Sequence, residues 1–132
     1  MENIFGIIKN KEITLYTEGV IDGAHLLKGY DGKCKQMHGH SWLLKIWVRG
    51  KREHLDDVGI MFDFANVKQI VDFFDHQLIN EVAPFDKMNP TAENLVSFIY
   101  GSMKIDYPDL QFKIRIYETA VLKKTYAEMG DF

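Results

Sequence analysis

Two segments in the first half of the chain alternate apolar and polar residues, which is the pattern of half-buried β-strands. The pattern predicts a strand over residues 13–22 and a second over residues 41–49. The inner face of the second strand carries Trp42, Leu44, Ile46 and Val48. Between them, residues 26–37 show no apolar period and are predicted to form a loop.

Two later segments repeat their apolar residues at the helical period of about 3.6. The first begins after Asp63, a plausible N-cap, and is predicted to end near Asn80. The second opens at Asn89-Pro90-Thr91, where a cap residue and a proline favour a helix start, and stops before Pro108.

The rest of the chain predicts two further strands. Phe112, Ile114 and Ile116 form the inner face of the third strand, and a weakly patterned fourth covers about residues 122–128. The resulting order, ββααββ, predicts an α+β domain in which a four-stranded antiparallel sheet carries both helices on one face. We expect a single domain spanning residues 1–132.

Composition excludes several classes of protein. With 132 residues, a formal net charge of −3 and one cysteine, the chain is expected to be an intracellular domain without a disulfide. The acidic balance argues against nucleic-acid binding. No apolar run reaches membrane-spanning length, and the first residues lack the layout of a signal peptide. We therefore expect a cytoplasmic protein that binds neither nucleic acid nor membrane.

Histidines are the first candidates for chemistry. Strand periodicity places His38 and His40 on the apolar face of the second strand, and the same reasoning places His25 on the apolar side of the first. If the two strands pair as a hairpin, three imidazoles meet in an open zinc site. Cys34, four residues before His38, is a possible fourth ligand that would close the site into a structural one. Both alternatives remain open from the residues alone.

Two further sites carry acidic groups. Glu118 continues the inward parity of the third strand, so it is either a carboxylate that awaits a ligand with adjacent N–H donors or a residue beyond the strand end. Asp75 and His76 place an acid beside a base, but neighbouring helical residues point about 100° apart. The sequence therefore does not predict that Asp75 and His76 form a pair by themselves.

Six segments together resemble the family of 6-pyruvoyltetrahydropterin and 6-carboxytetrahydropterin (QueD) synthases, which have the tunnelling fold. The segments follow the family's order and spacing over nearly the whole chain. They are Ala24-His25-x-Leu27, Cys34-x-x-x-His38-Gly-His40, Gly59-x-Met61-x-Asp63-Phe64, Asp75-His76-x-x-Ile79-Asn80, Pro90-Thr-Ala-Glu-Asn94 and Tyr117-Glu118-Thr119.

The resemblance assigns a role to each candidate. It implies that His25, His38 and His40 bind zinc, that Cys34 is the catalytic thiol, and that Asp75 and His76 take part in proton transfer. Glu118 would anchor the pterin ring, with Thr91, Ala92 and Glu93 as its neighbouring wall. It also implies a sheet that closes into a barrel by oligomerisation, as a homohexamer or homotetramer with sites shared between subunits.

The interval of three residues between Cys34 and His38 is similar to the bacterial carboxy branch, as is Met37 in place of a glutamate. That branch implies conversion of 7,8-dihydroneopterin triphosphate into 6-carboxytetrahydropterin, acetaldehyde and triphosphate, for queuosine synthesis. The alternatives are the sister synthase that keeps a pyruvoyl side chain and a non-catalytic pterin-binding oligomer. The chain departs from the family pattern at residues 21–23 and at Leu26, where an arginine is common.

Overall fold

The computed structural model describes residues 2–132, so Met1 of the predicted domain lies outside it. Three α-helices and four strands are the main elements of residues 2–132, and three short 3-10 turns lie between them. In chain order they are α1 (Glu2–Ile8), β1 (Glu12–His25), β2 (His38–Lys51), α2 (Ala65–Phe74), α3 (Ala92–Asp106), β3 (Gln111–Tyr117) and β4 (Tyr126–Gly130). None of the helices within residues 2–132 has the length and apolar character needed to cross a membrane.

The strands form one antiparallel sheet in the order β1-β2-β3-β4, which confirms the predicted sheet. β1 and β2 are 14 residues long and pair throughout, from Glu12 opposite Lys51 to His25 opposite His38. A slip of one residue would move every side chain of a strand to the other face of the sheet. The core packing of this hairpin therefore fixes the position of its last pair as well.

The hydrophobic core lies between one face of the sheet and the two later helices. Ile46 and Val48 of β2 and Phe112 and Ile114 of β3 have no exposed surface. α2 packs against β1, whereas α3 packs against β3 and β4. Buried residues of α2 and α3 belong to one core cluster with these strand residues. Both helices therefore lie on the same side of the sheet, as the sequence predicted.

The first helix was missed by the sequence analysis. α1 precedes β1, so the order is αββααββ rather than ββααββ. Ile4, Phe5 and Ile7 of this short helix are 50–68% exposed. The helix has only seven residues and contains Gly6, so it is too short for its apolar residues to establish a helical period.

The helix predicted to run to about residue 80 is shorter. α2 ends at Phe74, Asp75 has an extended backbone, and His76 has a left-handed one with φ of 56°. At the other end the flanking residue is Phe64, one position after the predicted cap. The carboxylate of Asp63 still accepts a backbone N–H of the first turn, at 2.9 Å.

Strand ends also differ from the prediction. β2 begins at His38 rather than at residue 41, and β4 is displaced to Tyr126–Gly130. β3 ends at Tyr117, so Glu118 does not continue its inward parity. The chain turns at this point, where the N–H of Lys123 donates to the carbonyl of Thr119.

The segment after α2 covers the last part of the outer edge of β1. The N–H of His76 donates to the carbonyl of Asp22 at 2.6 Å, and the N–H of Ala24 donates to the carbonyl of Gln77 at 3.0 Å. Ala24 and Leu78 form a parallel bridge. This segment therefore acts as a short additional strand beside β1.

α2 approaches β1 closely at Gly19. A Cβ atom on Gly19 would lie 2.7 Å from Cγ2 of Val71 and 3.3 Å from Cγ1 of Val67. The first distance is shorter than a carbon–carbon contact allows. The absence of a side chain at residue 19 therefore sets the separation of the helix from the sheet.

We expect Gly19→Ala to destabilise the fold by about 1–3 kcal/mol, because the added methyl group overpacks this contact. Gly101→Ala is the matched control in α3, since its added Cβ would have no neighbour within 4 Å. Alanine is favoured over glycine in a helix by about 0.5–1 kcal/mol, so the control should be stabilised. Urea unfolding measures both. An unchanged midpoint for Gly19→Ala would contradict the close approach.

Candidate metal centre

Three histidines from the two longest strands meet at one end of the sheet. His25 is the last residue of β1, and His38 and His40 lie near the start of β2. One ring nitrogen from each lies within 4.8 Å of the others, and the ring centroids are 4.5–5.1 Å apart. The structure thus brings together the three histidines that the strand parity predicted, in a group that could hold a metal ion.

Hydrogen bonds to backbone carbonyls indicate which ring nitrogens carry a hydrogen. Nδ1 of His25 lies 2.8 Å from the carbonyl oxygen of Pro90. Nδ1 of His38 lies 2.7 Å from the carbonyl oxygen of Gln36. Because a carbonyl oxygen can only accept, both Nδ1 atoms donate, and in the neutral rings both Nε2 atoms hold lone pairs.

These two lone pairs face each other. Nε2 of His25 is 2.9 Å from Nε2 of His38, and in the neutral rings neither nitrogen has a hydrogen to donate. Two acceptors at this distance repel each other unless a cation or a proton lies between them. An imidazole that donates Nδ1–H to a carbonyl and turns Nε2 towards its neighbours is oriented as metal-binding histidines usually are.

His40 supplies the third nitrogen. Its Nε2 is buried and has no hydrogen-bond partner among residues 2–132, although Oε2 of Glu118 lies 3.6 Å away. Burial lowers the pKa of His25, and it also lowers the pKa of His40 against the opposing effect of the Glu118 carboxylate. Lowered pKa values favour neutral imidazoles, which is the form that binds metal.

The donor set fits a divalent metal with an affinity for nitrogen ligands. Three imidazoles without a fourth protein ligand leave a coordination position for water or substrate, as in catalytic zinc sites. Imidazole also suits copper, iron and nickel. Cys34 is not part of the candidate ligand group found among the described residues. The geometry therefore favours the open site over the closed structural one.

Cys34 nevertheless lies at the end of the sheet that carries the histidine cluster. It occupies a short 3-10 turn, Lys33–Lys35, and is half-buried. Its carbonyl accepts a hydrogen bond from the N–H of Leu27 at 2.8 Å. Because Leu27 follows His25 by only two residues, this bond folds the loop back beside the end of β1.

The structure corrects the interpretation of Asp75 and His76. Since α2 ends before them, their side chains are not held in helical directions, and Nδ1 of His76 lies 2.9 Å from Oδ2 of Asp75. The N–H of Asp22 donates to Oδ1 of Asp75 at 2.8 Å. That bond, followed by those from His76, lowers the pKa of Asp75. The two residues are therefore an acid–base pair, with the imidazole 79% exposed.

Asp22 connects this pair to the second strand. Its Oδ1 accepts a hydrogen bond at 2.5 Å from the hydroxyl of Ser41, its register partner. The carbonyl of Ser41 in turn accepts the N–H of Ala120, in the turn that follows Glu118. One run of hydrogen bonds thus joins the acid–base pair, β2 and the turn that carries the predicted pterin anchor.

An open cleft of about 510 Å³ lies where these elements meet. It is lined by Asp22, Gly23, Ala24, Gly39, His40, Ser41, His76 and Gln77. A histidine of the candidate metal cluster and the histidine of the acid–base pair therefore border the same space in one chain.

The start of α3 lies beside the histidines. Pro90 accepts the ring N–H of His25, and the next residue, Thr91, caps the helix by accepting the N–H of Asn94 at 3.1 Å. Of the other two residues of the predicted pterin wall, Ala92 is buried and Glu93 is exposed. Thr91 and Ala92 are thus held close to the cluster by the backbone, whereas the side chain of Glu93 faces solvent.

Sequence reasoning missed two asparagines at the site. Oδ1 of Asn80 accepts the N–H of Leu26 at 2.9 Å, and its Nδ2 donates to the Leu26 carbonyl at 3.0 Å. Asn89 binds both backbone groups of Lys28 in the same way, at 2.8 and 2.7 Å. A side-chain amide offers the same kinds of donor and acceptor as a backbone amide. The presence of asparagines in the segments after α2 was thus the one sequence signal for these contacts.

Solved structures define the class of fold. The Caenorhabditis elegans 6-pyruvoyl tetrahydropterin synthase has a TM-score of 0.71 and 23% identity, over 92% of this chain and 97% of that one. The Plasmodium falciparum 6-pyruvoyl tetrahydropterin synthase has a TM-score of 0.66 and 16% identity, over 93% and 99%. At these identities the likeness establishes the fold, which is the tunnelling fold.

Sequence comparison then gives the family. The chain belongs to the 6-pyruvoyl tetrahydropterin synthase family, whose family model matches residues 14–129. A 6-carboxy-5,6,7,8-tetrahydropterin synthase of Haemophilus influenzae is 30% identical, over 81% of this chain and 93% of its own length. A 6-pyruvoyl tetrahydrobiopterin synthase of Dictyostelium discoideum is also 30% identical, over 67% of this chain and 68% of its own length.

We expect the double variant His38→Ala/His40→Ala to lose bound metal, because it keeps only one of the three convergent nitrogen ligands. His54→Ala is the control: this histidine accepts the N–H of Lys51 at 2.9 Å and is not part of the cluster. Metal content after dialysis against a weak chelator, measured by atomic emission, distinguishes the variants. Full metal occupancy in a folded double variant would show that the ion binds elsewhere.

Proposed function

We propose that the protein is a zinc-dependent lyase that converts 7,8-dihydroneopterin triphosphate into 6-carboxy-5,6,7,8-tetrahydropterin, with release of acetaldehyde and triphosphate. The product would enter queuosine and other deazapurine synthesis in the cytoplasm. The observation that supports this most is the three-histidine cluster, in which two Nε2 lone pairs face each other at 2.9 Å. The third nitrogen beside them has no hydrogen-bond partner within the described residues.

Zinc bound to His25, His38 and His40 would act as a Lewis acid towards the two neighbouring hydroxyl groups of the substrate side chain. The other functional groups of the chain would then bind the substrate and move its protons. Cys34 is the proposed base that removes a proton from the side-chain carbon, since it is the only thiol in the sequence and lies beside the end of β1.

Asp75 and His76 are proposed to relay protons while the pterin ring is reduced and the substrate's own side chain is oxidised. The carboxylate of Asp75 orients the ring through Nδ1, which leaves Nε2 to exchange protons with a substrate. The exposure of His76 suits a group that must reach a bound molecule or a neighbouring subunit.

Glu118 is the proposed anchor for the pterin ring. Its carboxylate can accept both N–H groups of the 2-amino and N3 edge, and such charge-assisted pairs fix orientation strongly. Its Oε2 lies 3.6 Å from Nε2 of His40, so a ring bound by Glu118 would lie next to the histidine cluster. Thr91, Ala92 and Glu93 would form the adjoining wall.

The carboxy product is favoured over the pyruvoyl product by two observations. Three residues separate Cys34 from His38, as in the bacterial carboxy branch that the sequence resembles. The Haemophilus relative, whose name specifies the carboxy product, matches over a larger share of both chains than the Dictyostelium relative.

Incubation of the zinc-loaded protein with 7,8-dihydroneopterin triphosphate tests the proposal. We expect a pterin with the mass of 6-carboxytetrahydropterin, together with acetaldehyde and triphosphate. A pyruvoyl-bearing pterin without acetaldehyde would identify the sister synthase. Tight binding of an unchanged pterin would identify a non-catalytic binder.

Binding and chemistry should separate in two variants. Cys34→Ala should keep zinc and pterin affinity while kcat falls by about 100-fold or more, because only the proton acceptor is lost. Glu118→Gln should keep zinc but weaken pterin binding by more than about 1–3 kcal/mol, because an amide donor then faces the N–H groups of the ring. Titration calorimetry and steady-state kinetics measure the two effects. Loss of zinc from Cys34→Ala would indicate a thiol ligand instead.

We further propose that the protein is a homo-oligomer, a hexamer or a tetramer, with sites shared between subunits. β1 and β4 are the edges of the four-stranded sheet, and the segment after α2 covers β1 only near its end. Tyr16 and Val20 of β1 are 43% and 45% exposed. An uncovered edge with apolar side chains favours pairing with another sheet edge.

Sedimentation at micromolar concentration tests the assembly. We expect a single species with the mass of four or six chains of 15.4 kDa each. The variant Glu18→Pro, in the middle of β1, should reduce the assembly, because even-numbered residues of β1 turn their N–H groups to the free edge and proline has none to donate. A stable monomer in the unsubstituted protein would contradict both the assembly and a shared site.

A further inference from the structure

The chain just beyond β1 is bordered on both sides by hydrogen-bond partners. On the outer side, the side-chain amides of Asn80 and Asn89 bind both backbone groups of Leu26 and of Lys28. On the inner side, the N–H of Leu27 donates to the carbonyl of Cys34 at 2.8 Å. This alternation is the one expected of an extended strand between two neighbours.

The two asparagine side chains therefore make the hydrogen bonds that a neighbouring strand would make. They continue the edge pairing that His76 and Gln77 make with Asp22 and Ala24. From residue 22 to residue 28, every second residue thus has a partner on the outer edge of β1 and its extension.

Both amides are themselves held in place. Asn80 is 9% exposed and lies in a short 3-10 turn, Ile79–Glu81. The carbonyl of Asn89 accepts hydrogen bonds from the N–H of Thr91 at 2.9 Å and from Nδ2 of Asn94 at 2.8 Å. The outer side of residues 26–28 is therefore fixed to the rest of the protein. On the inner side, the hydrogen bond from Leu27 fixes the backbone of Cys34 relative to this segment.

We propose that Asn80 and Asn89 are positioning residues that hold the Cys34 thiol at a defined separation from the histidine cluster. His25 is anchored to Pro90 at one end of this extension, and Cys34 is anchored to Leu27 near the other. The part of the inference that concerns catalysis rests on the proposed function, whereas the part that concerns the thiol's position does not.

Three alanine variants test the inference. Asn89→Ala and Asn80→Ala each remove one side-chain amide that holds residues 26–28, and these two are called the clamp variants. Asn66→Ala is the matched control. The Asn66 amide donates to the carbonyl of Asp63 at 2.7 Å and to the hydroxyl of Tyr107 at 2.8 Å, in the first turn of α2. All three changes remove a bonded side-chain amide without adding a charge.

Alkylation by iodoacetamide reports the position of the thiol without any need for turnover. Because Cys34 is the only cysteine, the rate of modification of the metal-free protein belongs to this residue alone. We expect the rate to rise by at least about fivefold in either clamp variant, because one hydrogen bond of about 1 kcal/mol corresponds to that factor and each variant removes two. Asn66→Ala should react at the rate of the unsubstituted protein.

In the zinc-loaded protein, the clamp variants should retain the metal and show a kcat lower by about 100-fold with little change in KM. Displacement of a catalytic group by about 1 Å can cost this much. If the lower kcat came only from a loss of stability, Asn66→Ala should show it as well. All variants are assayed well below their unfolding temperatures.

Unchanged alkylation in the clamp variants would overturn the proposal. Faster alkylation combined with an unchanged kcat would overturn the part of it that concerns catalysis. If Asn80→Ala does not fold, Asn89→Ala decides the question, because Asn89 is only half-buried. If the unsubstituted protein does not turn over the triphosphate, the proposed function fails. The alkylation rates of the metal-free variants still decide whether the asparagines position the thiol.

Discussion

The register of the β1–β2 hairpin is the constraint on which the histidine cluster depends. Its 14 consecutive pairs end with His25 opposite His38, so the position of the two imidazoles follows from apolar packing far from them. Trp42, fully buried, lies edge-on to the rings of His25 and His40 with centroids 4.9 and 5.1 Å away. The hydrophobic core thus continues directly into the wall of the polar site.

Satisfaction of backbone hydrogen bonds organises the second half of the site. Where β1 leaves the sheet, its N–H and carbonyl groups would lack partners, and burying them unpaired is costly. The segment after α2 and two asparagine amides supply those partners. The same contacts place Asp75, His76 and Cys34 around one strand end, so the requirement for hydrogen bonds and the arrangement of reactive groups are met by one set of interactions.

The sequence predicted those features that depend on local periodicity. Alternation along two strands was enough to place His25, His38 and His40 on one face, and the Asn89-Pro90-Thr91 motif was enough to predict the start of α3. The pairing of Asp75 with His76 was not predictable, because it depends on α2 ending at Phe74 under the influence of β1. The roles of Asn80 and Asn89 were missed for a similar reason, since each binds a residue more than 50 positions away.

The close approach at Gly19 has a consequence for how the reactive pair tolerates change elsewhere. α2 rests on β1 where a methyl group would collide with Val71, and Asp75 follows four residues later. A helix displaced at this contact would carry its C-terminal end with it. Gly19, which does not contact Asp75 or His76, therefore helps to set the distance of that pair from the sheet. A larger side chain at residue 19 should therefore change the alignment of Asp75 and His76 while leaving both side chains intact.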